Sequence, residues 1–172
     1  HLKRIRYRSG KIAGYASRLH YFTDWLLDNR KKKILTDVTG DLGGRPVRKK
    51  INFMTTHRKL YPALKNKAAY EKMLQVEKSL SRRIVNVIDR RRISAAEKKI
   101  QNGDLIAFTT NEEGLDVSHV GFAVKMGKIL SLLHASSQEG AVVLSKKSFT
   151  DYVKSNPKIS GIMVARVLGN RL

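Results

Sequence analysis

The sequence predicts an α+β fold in one domain, with helices packed on a mostly antiparallel sheet. Three observations carry this expectation. Helical patterning fills residues 1–100, whereas short apolar runs separated by turn residues fill 101–172. Charge shifts at the same place: residues 1–100 hold 27 Lys/Arg against 8 Asp/Glu, or +19, and residues 101–172 hold 8 against 6, or +2. A length of 172 residues with 41% hydrophobic content suits one domain with an ordinary core. The reading is therefore a single domain over 1–172, with 1–100 basic and mainly helical and 101–172 a β-rich core.

Each element has its own signal. Ser17 to Asn29 reads as an amphipathic helix, with Leu19, Phe22, Leu26 and Leu27 at helical spacing and cations Arg30 to Lys33 at its C-terminus. Asp41 to Pro46 reads as a loop from its Gly and Pro content. Asn52 to Thr56 is short, either extended or the entry to a turn. Pro62 to Leu80 reads as a second helix burying Leu64, Ala68, Met73, Leu74, Val76 and Leu80. Arg82 to Ile88 fits a strand. Ser94 and Glu97 have capping-box spacing and predict a short helix from Ser94. Asn102-Gly103 turns into a strand at Asp104–Thr109. After a loop at Asn111–Gly114 come strands Ser118–Val124 and Lys128–His134, then the turn Ser136–Gly140 and a strand at Ala141–Leu144. Ser148 to Lys154 predicts a short helix, and Gly161 to Val167 a last strand that closes the sheet.

The pair of strands around Met126-Gly127 carries the chemistry. A two-residue turn there pairs Lys125 with Lys128 and, counted down the ladder, His119 with His134. Directly opposed residues share a face, with Cβ atoms roughly 4.5–5.5 Å apart. Two imidazoles so placed suit a general base and its orienting partner. Period two puts Val120, Phe122 and Val124 on one face, expected to be core. His119, Gly121 and Ala123 fall on the other, where small side chains admit a closely packed helix. Each His taken singly is equally a structural residue. A zinc site built from His119, His134 and Asp116 or Asp104 is an alternative reading of the same residues.

Composition excludes several classes. The chain has no cysteine, so disulfides, thiolate catalysis and Cys-based zinc sites within these residues are excluded. No apolar run approaches the roughly 20 residues that span a bilayer. No signal peptide pattern is present, and His1-Leu2-Lys3-Arg4 reads as the interior of a longer chain. The formal charge of +21 would attract polyanions. Against a specific nucleic-acid binder stand the absence of any RRM, KH, helix-turn-helix or zinc-finger pattern and only 7% aromatic residues.

Three segments in order resemble the core of the NlpC/P60 papain-like cell-wall hydrolases. They are Asn102-Gly103-Asp104-Leu105-Ile106, Ser118-His119-Val120-Gly121-Phe122-Ala123 and Leu132-Leu133-His134-Ala135-Ser136. Ser17 to Leu26, Ile51 to Thr55, Leu132 to Ser137 and Gly161 to Arg166 narrow the resemblance to the DUF1460 branch, over about Ile5 to Arg166. That branch is similar to N-acetylmuramoyl-L-alanine amidases. The resemblance implies a papain-like fold, a muropeptide substrate, no cofactor and a periplasmic or cell-envelope location. It makes His119 the base and His134 the orienting residue. It places Arg18, His20, Tyr21 and Ser136 in the substrate cleft, with Arg18 suited to pair with a stem-peptide carboxylate. It also implies a Cys nucleophile at a helix start, in an N-terminal segment that these residues lack. Ser17, Ser118 and Ser136 are poor substitutes, because an activated Ser needs the base within hydrogen-bond reach.

Three functions therefore compete. The first is a cysteine amidase of peptidoglycan fragments, represented here without its nucleophile. The second is a muropeptide-binding pseudoenzyme. The third is a basic nucleic-acid-binding protein. Oligomeric state and stem-peptide preference are left open.

Overall fold

The structure, a computed structural model, describes residues 1–169. Eight strands form one sheet: β1 (Leu35–Asp37), β2 (Arg45–Arg48), β3 (Ile84–Asp89), β4 (Leu105–Thr110), β5 (Val117–Met126), β6 (Ile129–Ser136), β7 (Ala141–Leu144) and β8 (Ile159–Val167). Their order is β2-β3-β8-β4-β5-β6-β7, with β1 also on β8, and every pairing is antiparallel. The α+β expectation holds as an open antiparallel sheet with helices. β8 does not close the sheet from an edge but runs through its centre, between β3 and β4. It is a nearly continuous buried run, Ile162 to Ala165, as a central strand requires.

Six helices are described: α1 (Leu2–Arg6), α2 (Phe22–Lys31), α3 (Phe53–Thr56), α4 (Lys67–Ser81), α5 (Ile93–Glu97) and α6 (Phe149–Lys154). One sheet face is covered by α5 and α6. There Ile93, Ala96, Phe149 and Val153 pack on Ile88, Ile106, Phe108, Ala123, Leu132 and Ile162. The opposite face takes α2, whose Leu26, Phe22 and Trp25 pack on Leu35, Ala107, Met163 and Ala165. Beside these layers, α3 and α4 form a third cluster with Tyr21, Ile51, Leu64, Met73 and Leu80. Of the positions expected to be buried on α4 and before it, Leu64, Met73 and Leu80 are buried, whereas Ala68 is exposed.

Local expectations shift where tertiary contacts override propensity. The helix expected from Ser17 starts at Phe22. The stretch before it is a 3-10 turn at Tyr15–Ser17 followed by extended residues. Tyr7 bridges to Arg18, and Leu19 N–H donates to the Arg6 carbonyl, which holds that stretch extended. Pro62–Lys65 is likewise a separate 3-10 turn, because Asn66 caps α4 by accepting from Ala69 N–H at 3.0 Å. The helix expected from Ser94 begins at Ile93, after a 3-10 turn capped by Asp89. Asn52–Thr56 contributes the short helix α3. The loop at 41–46 runs into β2, where Pro46 sits in an edge strand, the place a sheet tolerates proline.

The hairpin is offset from the expected register. Met126 pairs with Ile129 and Phe122 with Leu133, so the turn residues are Gly127-Lys128. Gly127 has φ of 60°, a value that favours glycine at the first turn position. The face assignment is also reversed. Val120 and Phe122 are 42% and 46% exposed, while Ala123 on the other face is 1% exposed. Period two correctly separated the faces, but the small-residue face is the one that α5 and α6 cover. Gly121 belongs there because a Cβ would come within 2.7 Å of the Leu132 side chain and 2.9 Å of the Leu133 carbonyl oxygen.

Candidate active site

His119 and His134 meet. His119 Nε2 lies 2.9 Å from His134 Nδ1, a hydrogen bond between two imidazoles. Continuing the observed register sets His134 across from Gly121, so the two rings meet on the diagonal rather than directly opposed. The turn is displaced by one residue, which shifts the register by two and so leaves both side chains on the same face.

The rings are held by aromatic neighbours. They stand at 89° to each other, with centroids 5.0 Å apart. Phe108, directly across from His119 on β4, stacks on it at 6.1 Å. Tyr152 of α6 meets His134 edge-on at 5.3 Å and Phe108 at 5.4 Å. α6 is set by Ser148, whose hydroxyl accepts from Asp151 N–H. Neither Phe108 nor Tyr152 stood out in the sequence, although Phe149 and Tyr152 share a helix face three residues apart. Burial pushes the His119 pKa down, and the neighbouring His134 pushes it further the same way. At neutral pH His119 is thus a neutral imidazole, able to accept a proton.

For His119 to act as a base, the bond requires one pair of tautomers. An imidazolium donates from both nitrogens. The contact survives protonation of His119 only when His119 Nε2–H donates and His134 Nδ1 accepts. That arrangement leaves His119 Nδ1 with its lone pair, free to take a proton.

Of the remaining expected site residues, His20 and Tyr21 line a groove that also reaches His119, whereas Arg18 and Ser136 do not line it. Arg18 is exposed, and His20 and Tyr21 lie before α2 rather than on it. His20 Nε2 lies 3.1 Å from the Tyr15 carbonyl, and its ring packs on Tyr15 at 4.5 Å. Burial lowers its pKa. Tyr21 is 2% exposed, and its hydroxyl donates to Glu77 at 2.6 Å while accepting from Met54 N–H at 2.9 Å. Glu77 also accepts from Thr55 N–H and the Thr55 hydroxyl, so this buried carboxylate ties α2's entry to α3 and α4. Nothing in the helical spacing of 67–81 marks Glu77 except its place on the apolar side of α4. Ser136 sits at the end of β6, where its hydroxyl accepts from Glu139 N–H. Ser17 donates to the Gly14 carbonyl, and Ser118, at a bulge in β5, donates to Phe108.

The carboxylates do not join the histidines, which overturns the zinc alternative. Asp104 is 1% exposed and forms a two-point ion pair with Arg166, both contacts at 2.8 Å. Asp116 caps α2, accepting from Thr23 N–H at 2.7 Å, and burial raises its pKa. Among the described residues no three His, Cys, Asp or Glu side chains lie close enough to hold a metal ion.

A groove of about 700 Å³ runs along α2 on the sheet face that exposes Val120 and Phe122, opposite Phe108 and Tyr152; His119 borders its end and His134 does not. His20, Tyr21, Ser118 and His119 line it near the α2 N-terminus. Ile5, Ile34 and Val167 line it near the α2 C-terminus, with Phe22, Trp25, Leu105 and Phe122 between.

Comparison with known proteins adds family evidence. Residues 1–162 match the family model described as AmiA-like, N-acetylmuramoyl-L-alanine amidase-like. A crystal structure of an N-acetylmuramoyl-L-alanine amidase from Bacteroides uniformis is 39% identical at a TM-score of 0.91, over 98% of this chain and 72% of that one. A putative xylanase from Bacteroides fragilis is 41% identical at 0.89, over 96% and 73%. A Legionella pneumophila protein of the DUF1460 family model is 24% identical at 0.69, over 98% and 68%, a likeness of fold alone. No curated protein matches.

Proposed function

This chain belongs to the AmiA-like, N-acetylmuramoyl-L-alanine amidase-like family, and from that premise we propose that it forms the base-bearing part of a cysteine-dependent amidase of peptidoglycan fragments. The observation that carries the reading is the 2.9 Å contact between His119 and His134. His119 is the general base, and His134 fixes its tautomer. Phe108 and Tyr152 hold the rings. The nucleophile is a thiol from outside these 172 residues, which contain no cysteine, in an arrangement of the NlpC/P60 papain-like kind.

The chemistry runs as follows. The thiol proton passes to His119 Nδ1, and the thiolate attacks the carbonyl carbon of the amide that joins the lactyl group of muramic acid to L-alanine. The tetrahedral adduct expels the alanine nitrogen, which takes the proton back from His119 as the C–N bond breaks. Water, deprotonated by the same His119, then attacks the thioester carbonyl and displaces the cysteine sulfur, which takes the proton back from His119. Through each transfer His134 Nδ1 accepts from His119 Nε2–H, which steadies the imidazolium.

A xylanase reading does not fit. Glycoside hydrolysis canonically needs two carboxyl groups flanking the scissile bond. Asp116 is the one carboxylate lining the groove, and it is buried and committed to α2.

The test uses the natural protein purified from its source. Its intact mass should exceed 19.5 kDa, and thiol alkylation should stop release of L-alanyl peptide from N-acetylmuramoyl peptide. His119→Ala should stop it as well. Hydrolysis that survives alkylation, or that survives His119→Ala, would overturn the reading. Muropeptide binding with no turnover in that protein would favour the pseudoenzyme instead.

A further inference from the structure

The positive charge gathers at one corner of the molecule. β2 and β3 form an antiparallel ribbon at the sheet edge, with Arg48 across from Ile84. Past that pair, the Ser81 hydroxyl accepts from Ile51 N–H at 2.8 Å and donates to the Ile51 carbonyl at 3.1 Å, so the two chains stay side by side in the same register. Lys49 therefore lies across from Arg83, and Lys50 across from Arg82. Lys78, one turn before Arg82 on α4, adds a sixth cation. With Arg82, Arg83, Gln75 and Ser79 it lines a hollow of about 470 Å³. Lys49 turns inward and donates to the Thr110 carbonyl. Arg48, Lys50, Lys78, Arg82 and Arg83 are exposed, and none of them forms an ion pair among the described residues. The carboxylate nearest to Lys78 in sequence, Glu77, is 2% exposed and taken up by Tyr21 and Thr55.

Like charges set opposite each other destabilise a ribbon. The α4 C-terminus accounts for Lys78, Arg82 and Arg83, which lie in or just past its last turn, where cations offset the helix dipole. It does not account for Arg48 and Lys50, which the β2 edge brings against them. Aliphatic side chains are exposed in the same patch, Ile84 at 61% and Val47 at 41%. Ile84 shares a face with Arg48, its cross-strand partner. An aliphatic side chain gains nothing from a phosphate backbone in water, and no aromatic ring lies among these residues to stack on bases. Cations with an aliphatic residue between them suit a lipid surface, where long Arg and Lys stems lie in the interface and their charges meet phosphates.

We propose that this corner docks on an anionic phospholipid surface, with headgroup phosphates against Arg48, Lys50, Lys78, Arg82 and Arg83 and with Ile84 entering the headgroup layer. β2 lies four strands from β5, about 19 Å at ~4.8 Å per strand, so the docking surface is separate from the histidine pair.

Flotation of the full natural protein at physiological salt reads its binding to phosphatidylcholine vesicles with and without phosphatidylglycerol. Saturable binding to the anionic vesicles alone is expected. Arg82→Gln, Arg83→Gln should weaken it about thirtyfold, the loss of two surface cations. Arg48→Gln, Lys50→Gln, which leaves α4 untouched, should weaken it about as much. Lys146→Gln, Lys147→Gln removes the same charge just past β7, at the other sheet edge, and should change binding less than about threefold, because charges beyond a Debye length are screened. Ile84→Ser should weaken binding severalfold. Melting temperatures like that of the wild type establish that each variant is folded. Equal loss in the patch and control variants overturns the proposal, since net charge alone would then carry the binding; so does absence of binding, or an Ile84→Ser variant that binds like the wild type. Duplex DNA bound more tightly than the vesicles, with the same dependence on Arg82 and Arg83, would overturn it by assigning the patch to nucleic acid. Vesicle binding displaced by glycerol phosphate at constant ionic strength would overturn it by assigning the patch to a soluble phosphate. No outcome here depends on hydrolysis, so failure of this proposal is separable from failure of the amidase reading.

Discussion

Removing Arg166 isolates a buried charge. Asp104 is 1% exposed and accepts from Arg166 Nε and Nη2 and from Gln101 N–H, each at 2.8 Å. In Arg166→Ala only the backbone N–H remains for a carboxylate that stays out of water. Unpairing a buried ion costs about 3–5 kcal/mol. For a domain of this size each kcal/mol moves Tm by roughly 2–4 °C, so the expected drop is about 6–20 °C. The double variant Asp104→Leu, Arg166→Met removes both charges and should lose much less, because no orphan charge remains. Differential scanning calorimetry of the three proteins measures this. A single variant as mild as the double would refute the reasoning, since the pair would then contribute nothing beyond packing. The consequence reaches the site, because Asp104 precedes β4, the strand that carries Phe108 under His119.

Three further outcomes are expected. Tyr21→Phe removes a hydroxyl shared by Glu77 and Met54 N–H and should cost about 1.5–3 kcal/mol, read as a lower urea midpoint at unchanged slope; an unchanged midpoint would contradict it. His119 has its folded pKa below its unfolded value near 6.5, so the folded state binds fewer protons there. Its contribution is therefore full above the unfolded pKa and lost as pH falls through it toward the folded value. Urea midpoints of the wild type should thus drop more between pH 8 and pH 5 than those of His119→Gln, and parallel curves would contradict the assignment. Ser148→Ala removes the α6 cap and should cost about 1 kcal/mol by the same urea measurement; no change would mean that α6 is held by packing alone.

Much of the fold was legible because its signals are local. Period two separated the two faces of β5, and apolar runs between turn residues located the strands from Leu105 onward. The register needed a choice between two turns containing Gly127, and only the position of the glycine within the turn separates them. Which face of β5 is buried was not local at all, because it depends on where α5, α6 and α2 settle. The start of α2 moved for the same reason: Asp116, more than ninety residues away in sequence, supplies its cap. At the site, the histidine pair was legible from strand spacing, since a diagonal neighbour on the same face still reaches. Phe108 and Tyr152 were not, because each looks like ordinary core until the rings are placed. Tyr21 was assigned to the cleft by resemblance, and the structure puts its hydroxyl into the Glu77 node beneath the groove, where it positions the entry to α2.

The most direct test of the account is the long-range proton–nitrogen spectrum of the two imidazoles at pH 8. The account predicts His119 with Nε2 protonated and Nδ1 bare, and His134 with Nδ1 accepting and Nε2 protonated. A proton found on His119 Nδ1 would contradict it, because the atom assigned to take the thiol proton would already carry one.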